Sequence, residues 1–239
     1  DIYRTRGIQL GDQFLIIAVL ADPHGNAIAL SAVLSDLQGF RPRRIVIAGD
    51  LVGYGPDPAE VIDIVRSINA IVIRGNHDDS VVRKDYDWMN ELATRAAEWT
   101  TSVLDEAHVS YLSNLRFEAE FELEGRRIGI YHGSPEDPFE YVMDENRALA
   151  SLKQSSMDVI ICGHTHIPML VEHDGKIFLN PGGVGQPRDG IPDAAYAILN
   201  LQNLKVEFRR VQYDIQKVQK KMMSAGLPGF LATRLSMGV

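Results

Sequence analysis

Seven side chains with hard-metal chemistry recur at short spacings along this 239-residue chain: Asp22 and His24, Asp50, Asn76, His132, and His164 and His166. Oxygen and imidazole donors without a thiolate suit intermediate divalent ions such as Mn, Fe, Ni, Co or Zn, with Mn the first choice, rather than an all-oxygen Ca or Mg cage. Seven ligands exceed the three or four of a single catalytic ion, so two ions sharing a carboxylate fit the number better. Two divalent ions bring four positive charges and Asp22 and Asp50 remove two. The surplus draws an anionic phosphoryl group and lowers the pKa of a bridging water toward neutrality. The chemistry this implies is phosphoester hydrolysis. His77 follows Asn76 directly and need not ligate, so it is the candidate acid for the departing oxygen. Arg74, two residues earlier in the chain than Asn76, is a candidate phosphate contact. Tyr54 is a candidate to stack on substrate, as are Trp88 and Trp99, and Asn180 is a candidate to shape the rim or bind substrate.

The elements that must hold these residues are apolar, Val- and Ile-rich runs of strand length at 14–20, 45–48, 70–73, 128–131 and 159–162. Each run ends just before one group of candidates. In open α/β sheets ligands gather beyond the carboxyl ends of the strands, so five such ends would bring the groups together. Helical spacing over 27–37 and 59–68 between the first strands gives a βαβαβ opening with parallel pairing. Asp57-Pro58 reads as the start of the second helix. Residues 89–115 are helical with little strand character and are expected to cap one face. Three hairpins follow, over 117–131, 169–179 (turning at Asp174-Gly175) and 194–211. A last helix is expected over 213–223, and then a tail of Gly, Pro and apolar residues over 224–239. The whole reads as one domain.

Composition narrows the function classes. A hydrophobic fraction of 45% with 23% charged residues is ordinary globular composition. A net charge of −8 argues against broad nucleic-acid binding, which needs clustered cations. The expected partner is a small phosphorylated substrate. The single Cys162 leaves no internal disulfide. No run nears the roughly 18 residues of a membrane span, nothing reads as a signal peptide, and a cytoplasmic location is expected. His108 and His173 are expected to be exposed, and Cys162 to fill the core beneath the site.

At these residues the chain resembles the calcineurin-like metallophosphoesterases. The five blocks of that family stand in order as Asp22-Pro23-His24, Gly49-Asp50, Gly75-Asn76-His77-Asp78, His132 and Gly163-His164-Thr165-His166. The resemblance spans about residues 14–212 and implies a four-layer αββα sandwich of two mixed sheets. It further implies that Asp22, His24, Asp50 and His166 hold one ion and that Asp50, Asn76, His132 and His164 hold the other. His77 is then the leaving-group acid. Gly53-Tyr54-Gly55-Pro56, residues 180–188 and Gly226-Leu227-Pro228 resemble a bacterial branch of small, stand-alone phosphoesterases and phosphodiesterases. The protein phosphatases of this superfamily carry Asp-Arg-Gly where Gly53, Tyr54 and Gly55 stand here, and that Asp orients the catalytic His. The partner of His77 is therefore left open, and phosphoprotein phosphatase activity becomes an alternative beside dinucleoside polyphosphate hydrolysis. A non-catalytic interaction module on the same fold is the rival from another class, against which retention of His77 speaks.

Overall fold

Alternation along single strands determines the layering. In β1 (Ile16–Leu20) the side chains of Ile16, Ala18 and Leu20 join one buried cluster, and those of Ile17 and Val19 join another, so both faces of the strand are covered. The computed structural model describes residues 15–239. The expected first strand at 14–20 thus begins one residue outside the described residues. After β1 come α1 (Ala27–Leu37), β2 (Arg44–Ile47), α2 (Pro58–Ser67), β3 (Ile71–Val72), α3 (Asn76–Arg83), α4 (Glu91–Val103) and α5 (Glu106–Asn114). The second half runs β4 (Glu118–Leu123), β5 (Arg126–Tyr131), α6 (Glu145–Gln154), β6 (Val159–Ile161), β7 (Met169–His173), β8 (Lys176–Asn180), β9 (Ala194–Asn200), β10 (Val206–Val211), α7 (Ile215–Ser224) and α8 (Gly229–Leu235).

Two five-stranded mixed sheets result, in the orders β10-β9-β1-β2-β3 and β4-β5-β6-β8-β7. The first has β1, β2 and β3 parallel, with β9 and β10 antiparallel at one side. In the second, β5, β6 and β8 are parallel and the hairpin partners β4 and β7 form antiparallel edges. The sheets face each other through Ile17, Val19, Val46, Ile130, Ile161 and Leu179, among others. α1 and α2 cover the outer face of the first sheet. α6 covers the outer face of the second, where Ala148 and Leu152 pack on Ile160, Cys162 and Phe178. This is the expected αββα sandwich. Cys162 belongs to this outer layer under α6, not to a core beneath the site.

Three expectations change. The helical stretch expected as one cap divides: Ala93 and Ala96 of α4 pack with Tyr54 and with Val218, Met222, Leu231 and Leu235. α5 instead lies along the first sheet's outer layer, with Leu112 in that core and Tyr111 under the Arg66 guanidinium of α2. The expected tail folds as α8 and completes the same cluster as α4 and α7, because its apolar Leu231, Ala232 and Leu235 share one face. Asp57 occupies the N-cap position of α2 but gives no side-chain cap bond. Its carboxylate pairs with Lys221 of α7, which ties the C-terminal helices to the loop after β2. His108 is not exposed either: its side chain is 13% accessible and lies between the carboxylates of Asp63 and Asp105. No helix of the described residues is long and apolar enough to cross a membrane.

Candidate metal centre

Loops leaving the C-terminal ends of both sheets meet between them. Asp22 and His24 follow β1, Asp50 follows β2, Asn76 and His77 open α3 after β3, His132 follows β5, and His164 and His166 follow β6. Backbone bonds lock the loops to one another: Asp22 N–H donates to Gly49 O, His24 N–H to Asp50 O, and Gly163 N–H to His132 O, at 2.9–3.1 Å. The conformation is costly. Asp22, His24, Asp50, His164 and His166 all have left-handed backbones, with φ between 46° and 68°. Each such residue costs of the order of 1 kcal/mol, although Asp pays less than bulkier types, and it persists only where the surroundings over-determine it. Five of the seven expected ligands carry this strain, which turns their side chains toward one point.

The side chains are fully buried and close. His24 Nδ1–H donates to Val52 O at 3.0 Å, His132 Nδ1–H to Ala48 O at 2.7 Å, and His166 Nδ1–H to Gln186 O at 2.5 Å. A carbonyl only accepts, so these bonds fix the tautomer and aim three Nε2 lone pairs inward. His24 Nε2 lies 3.0 Å from His166 Nε2, and His132 Nε2 lies 3.1 Å from His164 Nδ1 and 2.7 Å from Asn76 Oδ1. Neutral nitrogens whose lone pairs face each other at such distances repel unless a cation or proton stands between them. His164 Nε2 and Asn76 Nδ2 are buried without a hydrogen-bond partner. Among the described residues three trios of potential donors result: Asp22/His24/His166 and Asp50/His132/His164, which share no residue, and His24/Asp50/His77 between them, the donor atoms of each within 4.8 Å of one another. Asp50 Oδ2 is 3.5 Å from His24 Nε2 and 3.4 Å from His132 Nε2, so one oxygen faces both of the first two trios. This donor set fits divalent metal.

Burial sets the charge states. It holds the imidazole of His24 well below its ordinary range, and lowers that of His164 to about 3, with the neighbouring His132 adding to the effect. His166 is held well below its range by burial and by Arg188. Neutral imidazoles are what metal ligation requires. Burial would lower His132 too, but the Asp50 carboxylate overrides it and holds that imidazole up at about 9. Burial works against the Asp50 charge as well, and His132 overcomes it, so the Asp50 carboxyl lies well below the usual range. Asp22 is raised to about 7, chiefly by burial.

His77 completes the group. Its backbone N–H donates to Asp50 Oδ1 at 2.9 Å, and its ring packs 4.8 Å from His24, 4.6 Å from Tyr54 and 5.9 Å from Trp88. Its Nδ1 has no hydrogen-bond partner, so packing rather than a carboxylate orients it. Gly53 makes the room: at its φ of 126°, a Cβ would stand 2.8 Å from His77 Nδ1 and 2.9 Å from His24 Nδ1. The Asp of the protein phosphatases could not be placed there without displacing both rings. Asp78 braces the same loops by accepting from the backbone of Val52 and Gly75 at 3.1 and 3.0 Å.

Other candidates are used differently from expectation. Arg74 donates to Asp79 Oδ1 at 3.1 Å and to the Ser113 carbonyl, and stacks over Phe117, so its charge ties α3 to α5 instead of facing the centre. Asn180 spends both ends of its amide within the loops, donating to Gly163 O and Thr165 Oγ1 and accepting from Gly182 N–H. It braces the loop of His164 and His166 and is 3% exposed, so its amide is not free for substrate. Tyr54 is a wall of the site, buried beside His24 and His77. Trp99 packs in the cluster of α4, α7 and α8.

Two residues at the centre were not singled out from the sequence. Arg188 lies over the Tyr54 ring, its guanidinium fixed by Gln186 Oε1 at 2.9 and 3.2 Å. Its positive charge disfavours protonation of His24, His77, His164 and His166 alike. Tyr141 stacks on His164 with ring centroids 3.7 Å apart. The loop 180–188 stood out only for its glycines, and Tyr141 lies in a stretch without periodicity, so neither carried a signal of its own.

Residues 15–204 match the family described as the calcineurin-like phosphoesterase superfamily domain. The uncharacterized protein MJ0912 of Methanocaldococcus jannaschii is 36% identical over 241 residues, covering 93% of this chain and 98% of that one. Phosphodiesterase YfcE of Escherichia coli is 29% identical over 197 residues, or 78% and 88% of the two chains. The crystal structure of a metallophosphoesterase from Sphaerobacter thermophilus superposes with a TM-score of 0.82 at 36% identity, covering 95% of this chain and all of that one.

Proposed function

The chain belongs to the calcineurin-like phosphoesterase superfamily, and we propose that it hydrolyses small or nucleotide-like phosphate mono- or diesters at a centre of two divalent ions, manganese foremost. The observation that carries this reading is the Asp50 oxygen set between two donor trios. Asp22, His24, Asp50 and His166 would hold one ion, and Asp50, Asn76, His132 and His164 the other. Such ions, when bound, supply positive charge to the phosphoryl group and acidify water.

The chain's own groups do the rest. The Nδ1 bonds of His24, His132 and His166 to backbone carbonyls aim each Nε2 at the centre, and the proton that Asp50 keeps on His132 is the one an ion would displace there. Arg188, held by Gln186, meets the non-bridging oxygens of the phosphoryl group, the part first assigned to Arg74. His77 gives a proton to the departing oxygen. Burial chiefly lowers its imidazole to about 4, so a proton on His77 at neutral pH depends on the negative charge that the substrate brings. Tyr54, His24 and Trp88 hold the ring for that transfer.

The test is purified protein loaded with Mn and offered nitrophenyl phosphate and bis-nitrophenyl phosphate. Turnover of at least one ester is expected, lost on chelation and restored by Mn. Absence of turnover with Mn, Fe, Zn, Ni and Co would overturn the reading.

A further inference from the structure

A cavity of about 340 Å³ opens beside the centre and shares two of its residues, Asn76 and His164. That volume lies within the roughly 300–1,000 Å³ of small-molecule sites. Its walls are aromatic. Among the described residues four large aromatic side chains are exposed by about two fifths or more, Trp88, Phe139, Tyr141 and Phe230, and the first three line this one cavity. Scattered exposed rings need no explanation, but three gathered at the mouth of a buried polar centre do. Tyr141 has one face on His164 and is 51% exposed, so the other face is open. Trp88 Nε1–H donates to Ser80 Oγ at 2.9 Å, which fixes the indole before anything binds. Phe139 is set edge-to-face on Phe117. Arg83 and Asp85 stand at the rim, the one offering donors and the other an acceptor.

From this arrangement we infer that the cavity is a base subsite: the substrate is a nucleoside phosphoester whose heterocycle stacks among Trp88, Tyr141 and Phe139 while its phosphate reaches the metal centre. The inference rests on the phosphoesterase reading and names its substrate class. Flat rings suit prepositioned aromatic walls at low entropic cost. The mixed polar rim matches the donor and acceptor edge of a base, which a plain aryl or alkyl group would leave unused. The His164 and Asn76 side chains, common to both sites, put the phosphate at the inner end.

The experiment is calorimetric titration of the manganese-loaded full chain with guanosine 5′-monophosphate, adenosine 5′-monophosphate and ribose 5-phosphate, which carries the same phosphate without a base. Stacking on aromatic side chains predicts at least one nucleotide binding roughly 5- to 100-fold tighter than the sugar phosphate. That ratio should fall toward one in Trp88→Ala and Tyr141→Ala, and stay unchanged in Phe230→Ala, an exposed ring elsewhere. Equal binding of nucleotides and sugar phosphate, or no binding of any, overturns the inference, as does a preference that survives both cavity substitutions. The two readings fail separately. Base-dependent binding without turnover of any phosphoester keeps the subsite and removes the hydrolase, whereas turnover with no base preference does the reverse.

Discussion

A single oxygen, Asp50 Oδ2, faces His24 at 3.5 Å on one side and His132 at 3.4 Å on the other. Asp50→Asn keeps the shape but weakens the charge at that point. Metal content should fall toward zero for both ions, and turnover by at least roughly 100-fold, as read by elemental analysis and steady-state kinetics. His77→Ala should separate chemistry from binding, with metal content unchanged and kcat down about 10²–10⁴-fold. Charge states of the metal-free site give a further expectation. With Asp22 raised to about 7 and His132 to about 9, both hold protons near neutrality that metal must displace. Metal binding should therefore release roughly one to two protons at pH 7, and affinity should rise with pH across that range. Titration calorimetry in buffers of different ionisation enthalpy measures the number, and zero release would show that these two groups are already charged and neutral, respectively, without metal.

The segment between β5 and α6 carries Phe139 and Tyr141 to the cavity, and Arg147 of α6 holds it there. Its guanidinium meets both carboxylate oxygens of Glu140 at 2.6 Å and Glu136 at 2.8 Å, and donates to Ser151 at 2.8 Å. Lysine cannot make this fork, so Arg147→Lys should speed amide exchange over residues 133–142 while leaving the sheet strands unchanged. The Arg147 bonds depress the carboxyl of Glu140, and outweigh burial to depress that of Glu136. A depressed carboxyl contributes stability above its unfolded value of roughly 4.3 and loses it as pH falls through the folded value. The same exchange should therefore accelerate below about pH 4 in the wild type. How much of the molecule was legible follows from such elements. Strands β1 and β6 were readable because they are buried throughout and continuously apolar, and β2 and β5 because their C-terminal parts after the leading arginines are apolar and mostly buried. α6 was not, since only Ala148, Ser151 and Leu152 of its ten residues are buried, too few to set a period. α8 has seven residues and opens on the last glycine of a Gly-Leu-Pro-Gly run, which reads as a chain break until α4 and α7 are there to receive it. The convergence of the histidines was legible from the motif order. The partners of Arg74 and Asn180 were not, because side-chain hydrogen bonds leave no period in a sequence.

At the scale of the whole chain, two sheets deliver strained loops to one point, and that strain is offset only if something holds the donors together. Bound metal does so by mass action. Ligand at 100 times its Kd stabilises by about 2.7 kcal/mol, and a domain of this size shifts by roughly 2–4 °C per kcal/mol. Chelation should therefore lower Tm by about 5–10 °C in differential scanning calorimetry, and the same treatment should have little effect on Asp50→Asn. Gly53→Ala should lower Tm and kcat even with metal present, because the methyl group pushes on His77 and His24 together. The central claim is the shared carboxylate. Anomalous diffraction from crystals grown with Mn tests it most directly: two peaks are expected, one among Asp22, His24 and His166 and one among Asn76, His132 and His164, with Asp50 touching both. A single peak, or a pair that leaves Asp50 unligated, would contradict it.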